Sequence, residues 1–438
     1  MNKDTAVQLI MDFHERPLPE LITRDLRVKL PATKKAVTII GPRRAGKTYF
    51  LFDNMQRLKD VNRTGMLYLN LEDDRLLPAK LDILGQLLQT YYEIYPENRK
   101  KKLYLFLDEI QNVDGWERFV RRVLDTENVQ VFITGSSSKL LATEIATTMR
   151  GRTATHMILP FSFKEFLKVK EMEPDKYLSS ENRTWIMKYL DEFVRFGGFP
   201  EVVLDDDENS KVKTLKEYVE IMLMRDVVER HKVKNIKVLR MLFNTIHRSF
   251  SKEFSVHKFY NFLKSQGIKV SKNTLYNYFQ HYEDAFAVIP VRRFSYSIRM
   301  LEQSLPKVYQ IDNGYAAQMG IRFSQNTGRL MENTVAVELL RRKSVSPLVE
   351  FYYWKDAQGK EVDFVVKKGE TVQELVQVCY DVEDYSTKMR ETSALMKASD
   401  KLRCKKLSII TWDFEEKEKI GGKKIEYIPL WKWLLNRR

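Results

Sequence analysis

The run Gly41-Pro42-Arg43-Arg44-Ala45-Gly46-Lys47-Thr48 has the pattern G-x-x-x-x-G-K-T, and such a loop suits a chain of phosphates. Glycines let the backbone curl until successive N–H groups face phosphate oxygens. A helix beginning directly behind the loop adds its partial positive charge. Lys47 has the reach for the β- and γ-phosphates, and Thr48 can offer its hydroxyl to Mg²⁺. The candidate nucleotide-binding set therefore runs from Gly41 through Tyr49. A second pair, Asp108-Glu109, ends the apolar run Leu103–Leu107. Adjacent carboxylates at the end of a buried strand are costly unless something uses them. Asp108 suits the Mg²⁺ water shell, and Glu109 suits orienting or polarising an attacking water as general base. A third run, Val129–Ile133, leads into Thr134-Gly135-Ser136-Ser137-Ser138. Thr134 and Ser136 are equal candidates to touch the γ-phosphate or the water. Arg150-Gly151-Arg152 follows. An arginine set near a neighbouring subunit's γ-phosphate acts as a finger, and Arg152 is assigned that catalytic role beside Lys47 and Glu109, with Arg150 as the alternative.

Such groups need a scaffold. Residues 31–160 alternate strand-like and helix-like text, which predicts a parallel sheet covered on both faces. The expected strands are Ala36–Ile40, Met66–Asn70, Leu103–Leu107 and Val129–Ile133, with a helix over Thr48–Leu58. In this frame the acid pair sits one unit downstream of the phosphate loop, at the carboxyl ends where ligands bind. Residues 161–240 read as mostly helical, with a break at Gly197-Gly198-Phe199-Pro200. The expected division is 1–160, a P-loop ATPase core; 161–240, a helical lid; 241–310, a winged-helix-like domain; and 311–438. The 438 residues fit about three or four domains.

Composition sets outer limits. No apolar run nears the roughly 18 residues of a membrane span, and Met1–Glu20 hold acids, a His and two prolines, so neither a membrane anchor nor a secretory signal is expected. Two cysteines, Cys379 and Cys404, exclude a disulfide scaffold and fit a reducing cytoplasm. Lys and Arg outnumber Asp and Glu by 74 to 59, a net +15. A chain this basic attracts polyanions, with DNA the expected one. The alternative is a lysine-rich surface with no such partner.

Residues 253–293 read as a winged helix. Ser255 and Ser271 are helix caps, and Leu275, Tyr278, Phe279 and Tyr282 share one face at i, i+3, i+4, i+7. Lys272, Asn273, Tyr276, Asn277 and Gln280 occupy the other, and such side chains bond bases and phosphates. Strand-like text at Ala285–Val291 and Lys307–Gln310 forms the wing, with Arg292-Arg293 near its tip. A helical packing or protein-binding domain remains the alternative.

Taken together, Gly41–Thr48, Phe106–Trp116, Thr134–Ser138, Gly151-Arg152, Pro160–Leu167 (PFSFKEFL) and Phe196–Glu201 (FGGFPE) resemble a prokaryotic family joining an AAA-type ATPase to a C-terminal restriction-endonuclease-like module. The resemblance implies that Gly198-Phe199-Pro200 borders an adenine. No N-K-x-D guanine motif occurs, so ATP is favoured over GTP. The α-β-β-β-α-β order expected over 311–438 resembles the PD-(D/E)XK nuclease fold, which implies metal-binding acids at Glu332 and Asp363. Where that pattern has E-x-K this chain has Gln377-Val378-Cys379. Gln377 is at best a weak ligand and Cys379 cannot replace a lysine; Lys388 or Arg390 are candidates to migrate into that place. The module is expected to bind DNA or a partner with its cleavage lost. The fold class expected is thus α/β: a P-loop sheet with lid, winged-helix segment and C-terminal nuclease-like α/β domain. The function expected is an Mg²⁺-dependent ATPase coupling ATP and ADP states to DNA-binding appendages, self-associating if an arginine acts in trans. The alternatives are a nucleotide-gated scaffold for a protein partner and an ATP-regulated nuclease.

Overall fold

Short runs of β-branched and aliphatic residues build the first sheet. They are β1 (Ala36–Ile40), β2 (Met66–Asn70), β3 (Leu103–Asp108), β4 (Val129–Gly135) and β5 (Thr153–Met157). The order is β2-β3-β4-β1-β5, with every neighbouring pair parallel. β1 is buried along its whole length, as expected for a strand covered on both faces. Four of these strands are expected from their apolar runs. β5 is not: Thr-Ala-Thr-His-Met is an edge strand, half-buried throughout, and carries no apolar run. The helix after the loop spans Lys47–Arg57 and places Phe50, Leu51 and Met55 against Val37, Ile39, Phe106 and Phe132. The Phe106 and Phe132 rings stack at 4.6 Å, which ties β3 to β4 beneath the site.

The computed structural model describes residues 2–136, 149–173, 179–320 and 323–436; Ser137 and Ser138 of the turn after β4 lie outside them. The chain forms two units, Met1–Ile158 and Leu159–Arg438.

In the second unit, the helix Phe163–Val169 starts at a capping box between Ser162 and Glu165. The helix Ser180–Phe196 stops at Gly197, whose φ is 79°. A Cβ on Gly197 meets Asp312 Oδ1 at 1.6 Å, and one on Gly198 meets the Phe161 carbonyl at 2.3 Å. Only glycine fits either place. The buried Asp312 carboxylate accepts the N–H groups of Gly198 (2.7 Å) and Gly314 (2.8 Å). Burial pushes the Asp312 carboxyl up to about 7, against the two backbone N–H groups, which lower it. Its unfolded value is near 3.8. Between these values the folded state keeps a proton that the unfolded state has lost. This contribution is fully present below about pH 4 and is gone above about pH 7, falling by roughly 1.4 kcal/mol per pH unit between. We predict that the stability advantage of wild type over Asp312→Asn, from urea denaturation at pH 5 and 7.5, shrinks by more than 1 kcal/mol at the higher pH (about 1.4 per unit is the ceiling); a pH-independent difference refutes it.

A three-stranded antiparallel sheet follows: β6 (Lys252–Glu253), β7 (Val288–Val291) and β8 (Lys307–Gln310), ordered β6-β8-β7. The helices Val256–Ser265 and Lys272–Asp284 lie between β6 and β7, each capped by the predicted serine. The expected segment order after that also holds. The helix Phe323–Val345 leads into β9 (Val349–Lys355), β10 (Glu361–Lys368) and β11 (Thr371–Val378); the helix Tyr385–Leu402 and β12 (Leu407–Thr411) come next. β13 (Glu416–Ile420) and β14 (Lys423–Pro429) complete a six-stranded sheet ordered β13-β14-β12-β11-β10-β9. Among the described residues, no helix is long and apolar enough to cross a membrane.

Candidate nucleotide site

Parallel register brings the strand ends together. Ile40 pairs with Gly135 and Leu107 with Ile133, so the residues leaving β1, β3 and β4 emerge at one edge. β4 lies between β1 and β3, so Thr134 stands between the loop and the acid pair. The loop leaves β1 at Gly41, where a Cβ meets the Ile158 carbonyl at 1.9 Å. It turns through Arg44 at φ 67° and Gly46 at φ 90° before the helix begins at Lys47. That alternation points backbone N–H groups into one concavity. The buried Arg24 braces it, its Nη1 donating to the Ala45 carbonyl at 2.9 Å. Arg43 Nη1 donates to Glu72 Oε1 at 3.3 Å, and Tyr49 is exposed on the first helical turn.

Lys47 is buried. Its ammonium lies 3.3 Å from Glu109 Oε1 and donates to the Pro42 carbonyl at 3.3 Å. Thr48 Oγ1 donates to Asp108 Oδ2 at 2.7 Å, and the Tyr68 hydroxyl reaches the same oxygen at 3.0 Å. Thr134 Oγ1 donates to Asp108 Oδ1 and accepts the Glu109 N–H at 2.8 Å. The two carboxyls differ in character. Burial, then the neighbouring Glu109, push the Asp108 carboxyl above its ordinary range. Burial also works to raise Glu109, but the Lys47 ammonium and the Gln111 amide outweigh it and hold Glu109 below its usual value. The Lys47 ammonium thus favours the ionised form of Glu109. Glu109 sits in the left-handed region at φ 53°, where non-glycine residues are strained and functional residues concentrate.

Of the two polar candidates after β4, Thr134 is engaged by Asp108 and the Glu109 N–H, whereas Ser136 Oγ lies 3.4 Å from Gln111 Nε2. Arg152 immediately precedes β5, and its carbonyl accepts the N–H of Ala36 at the start of β1. It therefore lies at the opposite end of the parallel sheet from Lys47, pairing with Asp125. Within one chain the two are not brought together. Pro200 opens the helix Pro200–Leu204 directly after the Gly197-Gly198 pair. Arg24, Tyr68 and Gln111 escape the sequence reading. Gln111 stands inside the motif Phe106–Trp116, so its place two residues past Glu109 is a usable signal.

In the second unit, Leu275, Tyr278 and Tyr282 are buried and Phe279 half-buried, while Lys272, Asn273, Tyr276, Asn277 and Gln280 are exposed on the opposite face. The expected place of Arg292-Arg293 near a wing tip is not what the structure has. Arg292 pairs with Glu302 at 2.7 Å, and Arg293 bridges to Tyr353 and donates to the Lys355 carbonyl. Both arginines are tied at the end of β7. The connection from β7 to β8 instead carries the short helix Ile298–Gln303, with Tyr296, Ile298 and Met300 exposed.

The C-terminal acids do converge. Glu332 and Asp363 both contact the Lys307 ammonium at 3.0 Å. Gln377 is used otherwise: its Oε1 accepts the Asp363 N–H at 3.2 Å and its Nε2 donates to Glu391 at 2.6 Å. Lys388 and Arg390 do not migrate into the cluster. Lys388 pairs with Glu418 at 3.0 Å and Arg390 with Glu391 at 2.6 Å, because each points from the helix toward a nearer acid. Burial pushes the Cys379 thiol up to about 12.

Residues 33–167 match a family model described as an AAA domain. Residues 187–327 and 327–433 match two domains of unknown function, DUF8612 and DUF4143. Among solved structures, ORC1 of Aeropyrum pernix in complex with DNA is 12% identical, covers 68% of this chain and 88% of its own, and superposes with a TM-score of 0.32. AMPPCP-bound DnaA of Aquifex aeolicus is 15% identical, with 58% and 83% covered and a TM-score of 0.25. An uncharacterized protein of Haemophilus influenzae is 28% identical over 90% of this chain and 93% of its own length. The uncharacterized protein MJ1544 of Methanocaldococcus jannaschii is 43% identical over 422 residues, covering 95% of this chain and 91% of that protein. The phosphate loop and acid pair stand in an AAA-type, P-loop ATPase domain, and the chain belongs to the family of MJ1544.

Proposed function

We propose that this chain hydrolyses ATP and couples its nucleotide state to DNA-binding appendages. The observation that carries this reading is the buried set in which Lys47, Glu109, Thr48 and Asp108 meet at one edge of the parallel sheet. In this reading the core spans 1–160, the lid 161–240, the winged-helix segment 241–310 and the nuclease-like module 311–438. The loop N–H groups from Arg43 to Thr48 cradle the phosphates, and Lys47 leaves Glu109 to meet the β- and γ-phosphate oxygens. Glu109, positioned by Gln111 and its strained backbone, then orients and deprotonates water. The Thr48 hydroxyl and the Asp108 carboxylate fit a divalent cation: they lie together, and the carboxyl is one whose burial a positive charge relieves. Held there by Thr48 and Asp108, such a cation would draw charge from the phosphate oxygens. Arg152, remote from Lys47 within one chain, acts in trans through self-association.

DNA is the proposed polyanion, supported by the net +15 and by the exposed polar face of the helix Lys272–Asp284. The test is ATP turnover with and without duplex DNA across a salt series. We predict that DNA stimulates turnover and that its affinity falls at least tenfold between 50 and 200 mM salt, a conservative figure for a handful of phosphate contacts. Turnover indifferent to DNA at every salt concentration refutes the coupling and favours a nucleotide-gated scaffold.

A further inference from the structure

Lys307 lies on β8, the central strand of its sheet, and is 3% exposed. Its ammonium contacts three carboxylates: Glu361 Oε1 at 2.6 Å, Glu332 Oε1 at 3.0 Å and Asp363 Oδ1 at 3.0 Å. These come from two further elements. Glu332 stands on the helix Phe323–Val345, and Glu361 and Asp363 share a face of β10. Asp363 falls where the β9–β10 register shifts, between Val362 and Val365. Such a bulge re-aims a side chain.

Each acid also has a second protein donor. The Tyr309 hydroxyl donates to Glu332 at 2.6 Å, the Val378 N–H to Asp363 at 3.0 Å, and Lys355 pairs with Glu361 at 3.3 Å. Three converging carboxylate oxygens form a ligand set for a hard cation. An ammonium has three donors, and here it meets three acceptors. Uncompensated charges in such a place are expensive, so the cluster requires a cation whether or not a metal is at hand.

We propose that this cluster is a cation site whose resident is the Lys307 ammonium, so that with Lys307 in place the C-terminal module takes no divalent metal. The proposal stands independently of the nucleotide reading. It also gives the nuclease-like resemblance a physical outcome: the acids are retained, but their cation is supplied by the chain itself.

The test is Mn²⁺ binding, counted by electron paramagnetic resonance on the full nucleotide-free chain, for wild type, Asp363→Asn, Lys307→Ala and Lys307→Met, the last keeping most of the side-chain volume. Wild type and Asp363→Asn are expected to bind equal Mn²⁺. The Lys307 variants are expected to gain one equivalent, lost again when Asp363→Asn is added. An equivalent present in wild type and lost in Asp363→Asn overturns the proposal, as does a folded Lys307 variant that gains none. So does Mn²⁺-dependent plasmid cleavage by wild type that Asp363→Ala abolishes. Should neither Lys307 variant fold, the comparison of wild type with Asp363→Asn decides: equal counts support the proposal and unequal counts overturn it.

Discussion

Glu109→Gln is expected to bind ATP with an affinity close to wild type and to turn it over about 10²- to 10⁴-fold more slowly, the usual contribution of a positioned general base. The substitution is nearly isosteric. It keeps an acceptor for the Gln111 amide and leaves the loop and Lys47 intact, so the phosphates still find their cradle. What disappears is a carboxylate held ionised by the Lys47 ammonium against the cost of its own burial. Single-turnover hydrolysis and equilibrium titration with labelled ATP separate the two effects. Turnover within threefold of wild type removes Glu109 from the chemistry and leaves Asp108 as the remaining carboxylate.

Lys47→Ala acts at the earlier step. The ammonium is buried and ion-paired with Glu109, so its removal deprives the incoming phosphates of a deeply placed positive charge. Losing one preorganised donor to developing phosphate charge costs about 10²- to 10³-fold in rate. Here the same group also serves ground-state binding, so ATP affinity falls as well. Calorimetric titration should register no binding at nucleotide concentrations that saturate wild type. The ion pair adds a second, distinguishable effect. Without Lys47, Glu109 loses the larger of the two positive charges that lower its pKa, Arg43 being the other. Retained ATP binding in the folded Lys47→Ala protein refutes the assigned role.

Much of this site is legible in the sequence because its parts are local. Gly41–Thr48 is contiguous, and the acid pair is welded to the apolar run of β3 that delivers it. Most of the longer elements follow in the same way from apolar periodicity, including the face that the helix Lys272–Asp284 buries, whereas the edge strand β5 does not. The rest depends on pairing order. Nothing in the linear order of β1, β3 and β4 says that β4 enters between the other two, and that interposition is what brings Thr134 onto Asp108. Tyr68 acts from β2, forty residues before the carboxylate it meets. Lys307 is concealed for a related reason. It alternates with Tyr309 on a four-residue strand, a spacing that marks one shared face, but its acids lie on a later helix and a later strand. A buried lysine can be anticipated from a short strand; the identity of its counter-charges cannot.

The contact between the Gly197-Gly198 pair and Asp312 has an evolutionary consequence. With a carbonyl or carboxylate oxygen already occupying the space a methyl would need at both positions, neither residue can drift on its own. At Gly197 substitution becomes tolerable only after the Asp312 carboxylate shortens or departs, which strands two amide protons in the interior, whereas Gly198 is held by the Phe161 backbone carbonyl whatever stands at 312. Descendants are therefore expected to exchange 197 and 312 together or not at all and to keep glycine at 198, so that aligned family members show joint replacement rather than independent scatter at 197 and 312.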